Sequence, residues 1–187
     1  MAKTIPVYTL EELRTINPGA FEKIHNEWRN VVASDQAPWS DEVIDSLKAV
    51  VDACGGTLKA WSIGAYAPSS MMVSVEDEFE DGEEVFAKKD SAWMFEHILR
   101  PLGYKGHKEK GVDFPGLCPF TGYCADDDFL EAVYKELQRG YTLTEALESL
   151  ADVARKHMED DTEQAQDEES MLANWGERLY TEDGKPV

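Results

Sequence analysis

The sequence lacks long apolar runs and contains few cysteines. No stretch of about 18 apolar residues occurs in the 187-residue chain, so a membrane-spanning helix is not predicted. The first residues form no continuous apolar segment, and no signal peptide is predicted. The three cysteines are an odd number, which is typical of reduced thiols in a cytosol. These features together predict a cytoplasmic protein.

Common catalytic and nucleotide-binding motifs are also missing. The sequence contains no G-x-S-x-G, G-x-G-x-x-G, Walker or H-E-x-x-H motif. A catalytic pair of carboxylates could still assemble in space from the 38 acidic residues, so an enzyme that uses carboxylate chemistry stays open as an alternative. We expect a protein that acts by binding, without catalysis and without a cofactor.

Positive charge is scarce, and negative charge is abundant. The chain has 38 acidic and 18 basic residues, a formal net charge of −20. The imbalance grows along the chain, because residues 126–187 carry 18 acidic and only 6 basic side chains. Such a chain repels nucleic acids and anionic membranes and attracts basic surfaces. We expect a basic protein partner and no direct binding to nucleic acid or membrane.

The hydrophobic pattern predicts one α+β domain with a small antiparallel sheet and about five helices. Hydrophobic residues make up 42% of the chain, enough for a core that needs neither disulfides nor metal. Residues 57–66 and 71–75 are rich in β-branched, aromatic and Met side chains and predict a hairpin. Residues 104–116 are rich in glycine and lysine and predict a loop. We place an α+β domain at 1–157 and an acidic segment with a short amphipathic helix at 158–187.

Helix boundaries follow from capping residues. Helices are predicted after Thr9, after Asn17-Pro18 and after Ser40, over residues 84–99, and from Asp126, with a capping box at Thr142-x-x-Glu145. The three aspartates that open the Asp126 helix suit the positive end of its macrodipole. Polar composition from residue 158 to 170 indicates a solvated stretch before a final amphipathic turn around Trp175.

The segment Cys118-Pro-Phe-Thr-Gly-Tyr-Cys124 is the most distinctive short motif. It could supply half of a zinc site, with His97 or His107 as further ligands. Zinc ligands are usually cysteines two to four residues apart in matched pairs, and the spacing here is different. The alternative is a turn that leads into the Asp126 helix, with its cysteines packed as small apolar side chains. The spacing favours the turn.

Two dense acidic clusters are the candidate binding residues. Each costs folding energy through like-charge repulsion unless it is solvated or faces cations. Each could be a plain solvated surface, or a negative surface that imitates nucleic-acid phosphates, since carboxylates at i and i+4 of a helix are about 6 Å apart along its axis. The first cluster comprises Glu76, Asp77, Glu78, Glu80, Asp81, Glu83 and Glu84, and the second comprises Glu159, Asp160, Asp161, Glu163, Asp167, Glu168 and Glu169.

The chain resembles a family of small acidic proteins encoded by phages, prophages and other mobile elements. The resemblance is carried by residues 8–13, 20–24 and 28–29, by Trp61-Ser-Ile-Gly-Ala-Tyr-Ala-Pro-Ser-Ser70, by residues 118–130 and by the closing segment 180–185. Together these segments span most of the chain. Some such proteins are described as antitoxin-like. By its charge alone, the chain is also similar to DNA-mimicking anti-restriction and anti-CRISPR inhibitors.

The resemblance and the charge together lead to one functional hypothesis. We expect a phage or mobile-element anti-defence inhibitor that acts in the host bacterial cytoplasm. It would block a nucleic-acid-binding defence complex by presenting a DNA-mimicking acidic surface, with Phe79 and Trp175 as exposed aromatic anchors. The first alternative is an antitoxin-like protein that neutralises a toxin by direct binding. The second alternative is an enzyme with carboxylate or zinc chemistry.

Overall fold

The structure is a computed structural model that describes residues 6–34, 40–63, 69–75, 89–107, 111–122 and 125–187. It confirms the predicted α+β class with a small antiparallel sheet. The helices are α1 (Leu10–Ile16), α2 (Pro18–Ser34), α3 (Ser40–Ala53), α4 (Ser91–Met94), α5 (Ala125–Gln138), α6 (Leu143–Glu148), α7 (Leu150–Ala165) and α8 (Glu168–Trp175). The strands are β1 (Gly56–Ser62), β2 (Ser70–Val75), β3 (Lys105–His107) and β4 (Gly111–Asp113).

The chain forms two compact units. The terminal unit comprises Met1–Pro38 and Asp160–Val187, and the central unit comprises Trp39–Glu159. The division at 157/158 from the sequence stays a prediction. It groups residues 1–38 with the middle of the chain, whereas the compact units group them with the C-terminal residues.

The terminal unit is built around α1, α2 and α8. Its buried core is formed by Leu10, Leu13, Ala20, Phe21, Ile24, Met171 and Tyr180. Tyr8 and Tyr180 form an antiparallel bridge through two backbone hydrogen bonds of 2.8 Å, which joins the first described residues to the C-terminal segment. As predicted, α2 begins at Pro18, and the Asn17 side chain accepts a hydrogen bond from Ala20 N.

The central unit packs helices against the β1–β2 hairpin. The apolar faces of α3, α5 and α6 supply buried residues such as Leu47, Phe129 and Leu147. The hairpin is antiparallel, as predicted, and Gly56 of β1 and Val73 of β2 are buried. The predicted first strand extended to residue 66, but β1 ends at Ser62, and residues 64–68 lie outside the described ranges.

Two local predictions in the central unit were wrong. The helix predicted over 84–99 begins at Ser91, because the Asp90 carboxylate caps it by accepting hydrogen bonds from Ala92 N and Trp93 N. The helix then widens into a π-helical turn at Phe95–Leu99. Residues 84–88 lie outside the described ranges.

The predicted loop at 104–116 contains the antiparallel pair β3 and β4. A glycine at position 106 argues against a strand on propensity alone. In the fold a Cβ at this position would lie 2.7 Å from the Phe95 ring, so a larger side chain would displace that ring. The glycine therefore fits the packing of β3 against an aromatic side chain.

The capping box Thr142-x-x-Glu145 is confirmed by both of its hydrogen bonds. The single helix predicted to follow it divides at Ser149 into α6 and α7. The second helix runs on to Ala165, so part of the stretch predicted as solvated is helical. Buried Thr162 and Met171 explain this extension, since they place one side of the acidic segment in the protein interior.

Candidate functional site

The second acidic cluster lies on α7, on α8 and on the turn between them. Glu159 is the last residue of the central unit, and Asp160–Glu169 belong to the terminal unit. The first cluster, from Glu76 to Glu84, lies outside the described residues, as does Phe79. The candidate site that can be analysed in three dimensions is therefore the segment 159–169.

Several of its carboxylates have partners within the protein. Glu159 accepts a hydrogen bond of 2.5 Å from Arg155, one helical turn earlier on α7. Glu168 forms an ion pair of 2.7 Å with Arg14 of α1. Asp167 caps α8 and accepts a hydrogen bond of 2.6 Å from Ser170 N. These three side chains stabilise the local structure, and Asp161 is half-buried.

The remaining carboxylates form what we call the acidic face: Asp160 and Glu163 on α7, and Glu169 on α8. All three are exposed, and within the part of the chain that the structure describes none of them has an ion pair. Asp160 and Glu163 are three residues apart, so they share one side of α7. Like charges at this spacing repel, and the face is available to external cations.

Asp160 and Glu163 of the acidic face lie toward the C-terminal end of α7, whereas Glu169 lies in the first turn of α8. A helix carries a partial negative charge at its C-terminus, where carboxylates are destabilising and cations are favourable. The last turn of α7 contains no basic residue. Glu163, in the last turn, therefore opposes the helix dipole, and Asp160 and Glu163 repel each other, so other interactions must hold this end of the helix.

Three side chains supply hydrogen bonds to the carbonyls at this end of α7. Ser170 Oγ donates to Gln164 O at 2.9 Å, Trp28 Nε1 donates to Ala165 O at 2.8 Å, and His25 Nε2 lies 3.0 Å from Gln166 O. Because a carbonyl oxygen only accepts, Nε2 of His25 carries a proton. We call the two α2 side chains, His25 and Trp28, the α2 clasp.

Trp175 was predicted as an exposed anchor, but it is half-buried. Its ring packs edge-on against Trp28 with the centroids 5.1 Å apart, and the Arg178 guanidinium lies 4.4 Å from its centroid. The Trp175 ring is thus engaged in two contacts within the terminal unit. The amphipathic spacing around Trp175 is compatible with a buried position as well as with a binding role.

The Cys118 segment is a turn held by two buried aspartates. Asp126 is fully buried and accepts hydrogen bonds from Phe120 N, Thr121 N and Thr121 Oγ1 at 2.9, 2.9 and 3.0 Å. Asp127 is also buried and accepts one from Gly116 N at 2.6 Å. The sequence placed these aspartates at a helix start but did not reveal that they fold the preceding turn back onto α5.

Tyr104 lies beside this pair of aspartates. Burial is the main cause that raises the pKa of the Tyr104 phenol above its ordinary value. Neither the Tyr104 hydroxyl nor Oδ1 of Asp127 forms a hydrogen bond within the described part of the chain. The phenol is therefore a neutral group in the interior at physiological pH.

The described residues contain no cluster of three or more His, Cys, Asp or Glu side chains that could hold a metal ion. Two members of the zinc hypothesis, Cys124 and the His107 side chain, lie outside what the structure describes. Cys54 is buried, and burial raises the pKa of its thiol to about 12 against a smaller opposing effect of Lys89. A thiol with such a pKa is a packing residue and not a nucleophile.

His157 lies in the middle of α7, which continues for eight residues beyond it. Its Nε2 lies 3.1 Å from Oδ2 of Asp128, and its ring packs edge-on against Phe129. The imidazole therefore joins α7 to α5 inside the central unit. Its contacts are those of a packing residue.

Comparison of the chain with protein-family models, with curated proteins and with solved structures finds no match. Among the described residues, no helix is long and apolar enough to span a membrane.

Proposed function

We propose that this chain is an anti-defence inhibitor from a phage or another mobile element, which acts without catalysis. It would occupy the basic nucleic-acid-binding surface of a defence complex, such as a restriction enzyme or a CRISPR effector. The observation that carries the proposal is the acidic face, where Asp160, Glu163 and Glu169 are exposed and have no ion pair among the described residues. Rows of Lys and Arg that bind a phosphate backbone would pair with these carboxylates.

Charge distribution supports the same function. Residues 160–187 contain nine acidic and two basic side chains. Asp160 and Glu163 are about 4.5 Å apart along the axis of α7, given a rise of about 1.5 Å per residue. A partner that supplies cations would relieve the repulsion between them. Binding therefore removes a cost that the free protein bears.

The experiment measures DNA cleavage by a panel of restriction enzymes and CRISPR effectors with and without the protein. We expect one of them to be inhibited in competition with its DNA, with an inhibitory concentration that rises with salt. Exposed charges are screened over about 10 Å at 0.1 M and about 3 Å at 1 M ionic strength. In the variant Asp160→Asn, Glu163→Gln, Glu169→Gln, inhibition should weaken by at least about tenfold, since charge complementarity contributes several kcal/mol at such interfaces.

A matched control separates the acidic face from net charge. Glu11, Asp41 and Asp52 are exposed and have no ion pair among the described residues, so Glu11→Gln, Asp41→Asn, Asp52→Asn changes the net charge by the same amount. We expect this control to inhibit like the unmodified protein. Inhibition that survives in the acidic-face variant, or an inhibitor that does not compete with DNA, would contradict the proposal. Selective binding to a small toxin would favour the antitoxin alternative.

A further inference from the structure

The α2 clasp consists of the two side chains of α2 that contact the C-terminal end of α7. Trp28 Nε1 is 2.8 Å from Ala165 O, and His25 Nε2 is 3.0 Å from Gln166 O. His25 is 5% exposed, although it is a polar side chain. We propose that His25 and Trp28 are positioning residues that keep the acidic face in its helical arrangement. This inference rests on the proposed function of that face.

The last carbonyls of any helix lack partners within the helix and need donors from elsewhere. Many helices obtain them from a C-terminal glycine motif, or gain support from a cation in the last turn. The end of α7 has neither, because its last turn contains no basic residue and the residues that follow it are Gln166, Asp167 and Glu168. In α7, the N–H groups of Trp28 and His25 from α2 take the place of the glycine motif and of the cation.

The contacts between α2 and this turn are reciprocal. Gln166 Nε2 donates to Arg29 O at 3.4 Å, so the turn also supplies a donor to the end of α2. Trp28 packs against Trp175 of α8 with the ring centroids 5.1 Å apart. One side chain of α2 therefore contacts the helix before the turn through its N–H and the helix after it through its ring. Asp160 and Glu163 lie on the first of these two helices, and Glu169 lies on the second.

The test separates hydrogen bonding by the clasp from its packing. Trp28→Phe keeps an aromatic ring but removes the Nε1–H donor. His25→Leu removes the imidazole donor, while His25→Gln keeps an N–H donor at a similar position. Trp175→Phe is the matched control, since it alters the same aromatic contact and touches none of the α7 carbonyls. Hydrogen exchange of the amides of residues 160–169 is measured in the full-length chain for each variant.

We expect exchange in this segment to be about threefold to tenfold faster in Trp28→Phe and in His25→Leu, as one hydrogen bond contributes about 0.5–1.5 kcal/mol. His25→Gln should restore slow exchange, and Trp175→Phe should leave it near the unmodified rate. Amides of the central unit should not change in any variant. Unchanged exchange at 160–169 in the folded double variant Trp28→Phe, His25→Leu would overturn the clasp.

Binding to an arginine-only peptide, measured on the same variants, separates this inference from the proposed function. If the clasp positions the face, binding should weaken in Trp28→Phe and His25→Leu and recover in His25→Gln. Faster exchange with unchanged peptide binding would contradict a positioning role toward the face. If the acidic-face variant binds the peptide as well as the unmodified protein does, the proposed function is contradicted. The hydrogen-exchange rates of residues 160–169 still test the α2 clasp in that case.

Discussion

Asp126 shows how much one buried carboxylate can organise. It is fully buried at the start of α5 and accepts three hydrogen bonds from Phe120 and Thr121. Thr121 Oγ1 also shares a hydrogen bond of 2.8 Å with Ser46 Oγ of α3. A single side chain thus connects the Cys118 turn, α5 and, through Thr121, α3. The helix N-terminus adds a favourable dipole to this carboxylate.

Replacing Asp126 tests this arrangement. Asp126→Ala should lower the free energy of unfolding by about 2–4 kcal/mol, since two backbone N–H groups and one hydroxyl lose a charged acceptor. Urea unfolding followed by circular dichroism measures the change. Asp128 is the control, because its side chain is 58% exposed, and Asp128→Ala should cost less than about 1 kcal/mol. Equal losses in the two variants would show that burial of Asp126 contributes no stability.

At the scale of an element, α6 begins with a complete capping box. Thr142 Oγ1 accepts from Glu145 N at 3.3 Å, and the Glu145 carboxylate accepts from Thr142 N at 2.9 Å. The hydrogen bond from the Thr142 backbone, followed by that from its hydroxyl, lowers the pKa of Glu145. The same box occurs at Thr9 and Glu12 of α1. Local sequence suffices for both, since every atom involved lies within four residues.

The lowered pKa of Glu145 predicts a pH dependence of stability. A carboxyl group whose pKa is lower in the folded state stabilises the fold at pH values above its unfolded pKa, and this contribution is lost as pH falls through the folded pKa. Glu145→Gln should therefore be less stable than the unmodified protein at pH 7, and the difference should shrink toward pH 3. Thermal unfolding at both values measures it. A difference that grows on acidification would contradict the role of the ionised side chain.

At the scale of the molecule, net charge opposes folding. The chain carries −20, and the ion pairs found among the described residues engage only part of the 38 carboxylates. Compact states with high net charge are destabilised by self-repulsion, which salt screens. The acidic face contributes to this cost, because its carboxylates have no ion pair among the described residues.

Raising NaCl from about 0.05 M to about 0.5 M should therefore increase the melting temperature. A gain of about 2–4 °C corresponds to about 1 kcal/mol for a chain of this size. The acidic-face variant should respond less, because it lacks part of the repulsion. A falling melting temperature would mean that screening of favourable ion pairs exceeds the relief of repulsion.

The sequence by itself determined the elements whose signals are local. Capping at Asn17 and Thr142, the hairpin of β1 and β2, and the amphipathic faces of α3 and α5 all follow from side chains within a few residues of one another. The α+β class follows from these elements. Net charge and the positions of the acidic clusters are also properties of the sequence alone.

Only the tertiary structure decided the outcomes that depend on distant residues. Gly106 lies in a strand, and the Phe95 ring occupies the space that a side chain there would take. The acidic stretch after residue 158 is helical as far as Ala165. The side chains of Trp28 and His25 contact the carbonyls of Ala165 and Gln166, which are 137 and 141 residues away in the sequence. Of the seven carboxylates in the second cluster, local spacing could not tell Glu168, paired with Arg14, from Glu163, which faces solvent. Hydrogen bonds and ion pairs between remote segments leave no periodic signal in the sequence. These contacts decide which carboxylates of the second cluster stabilise the fold and which stay exposed.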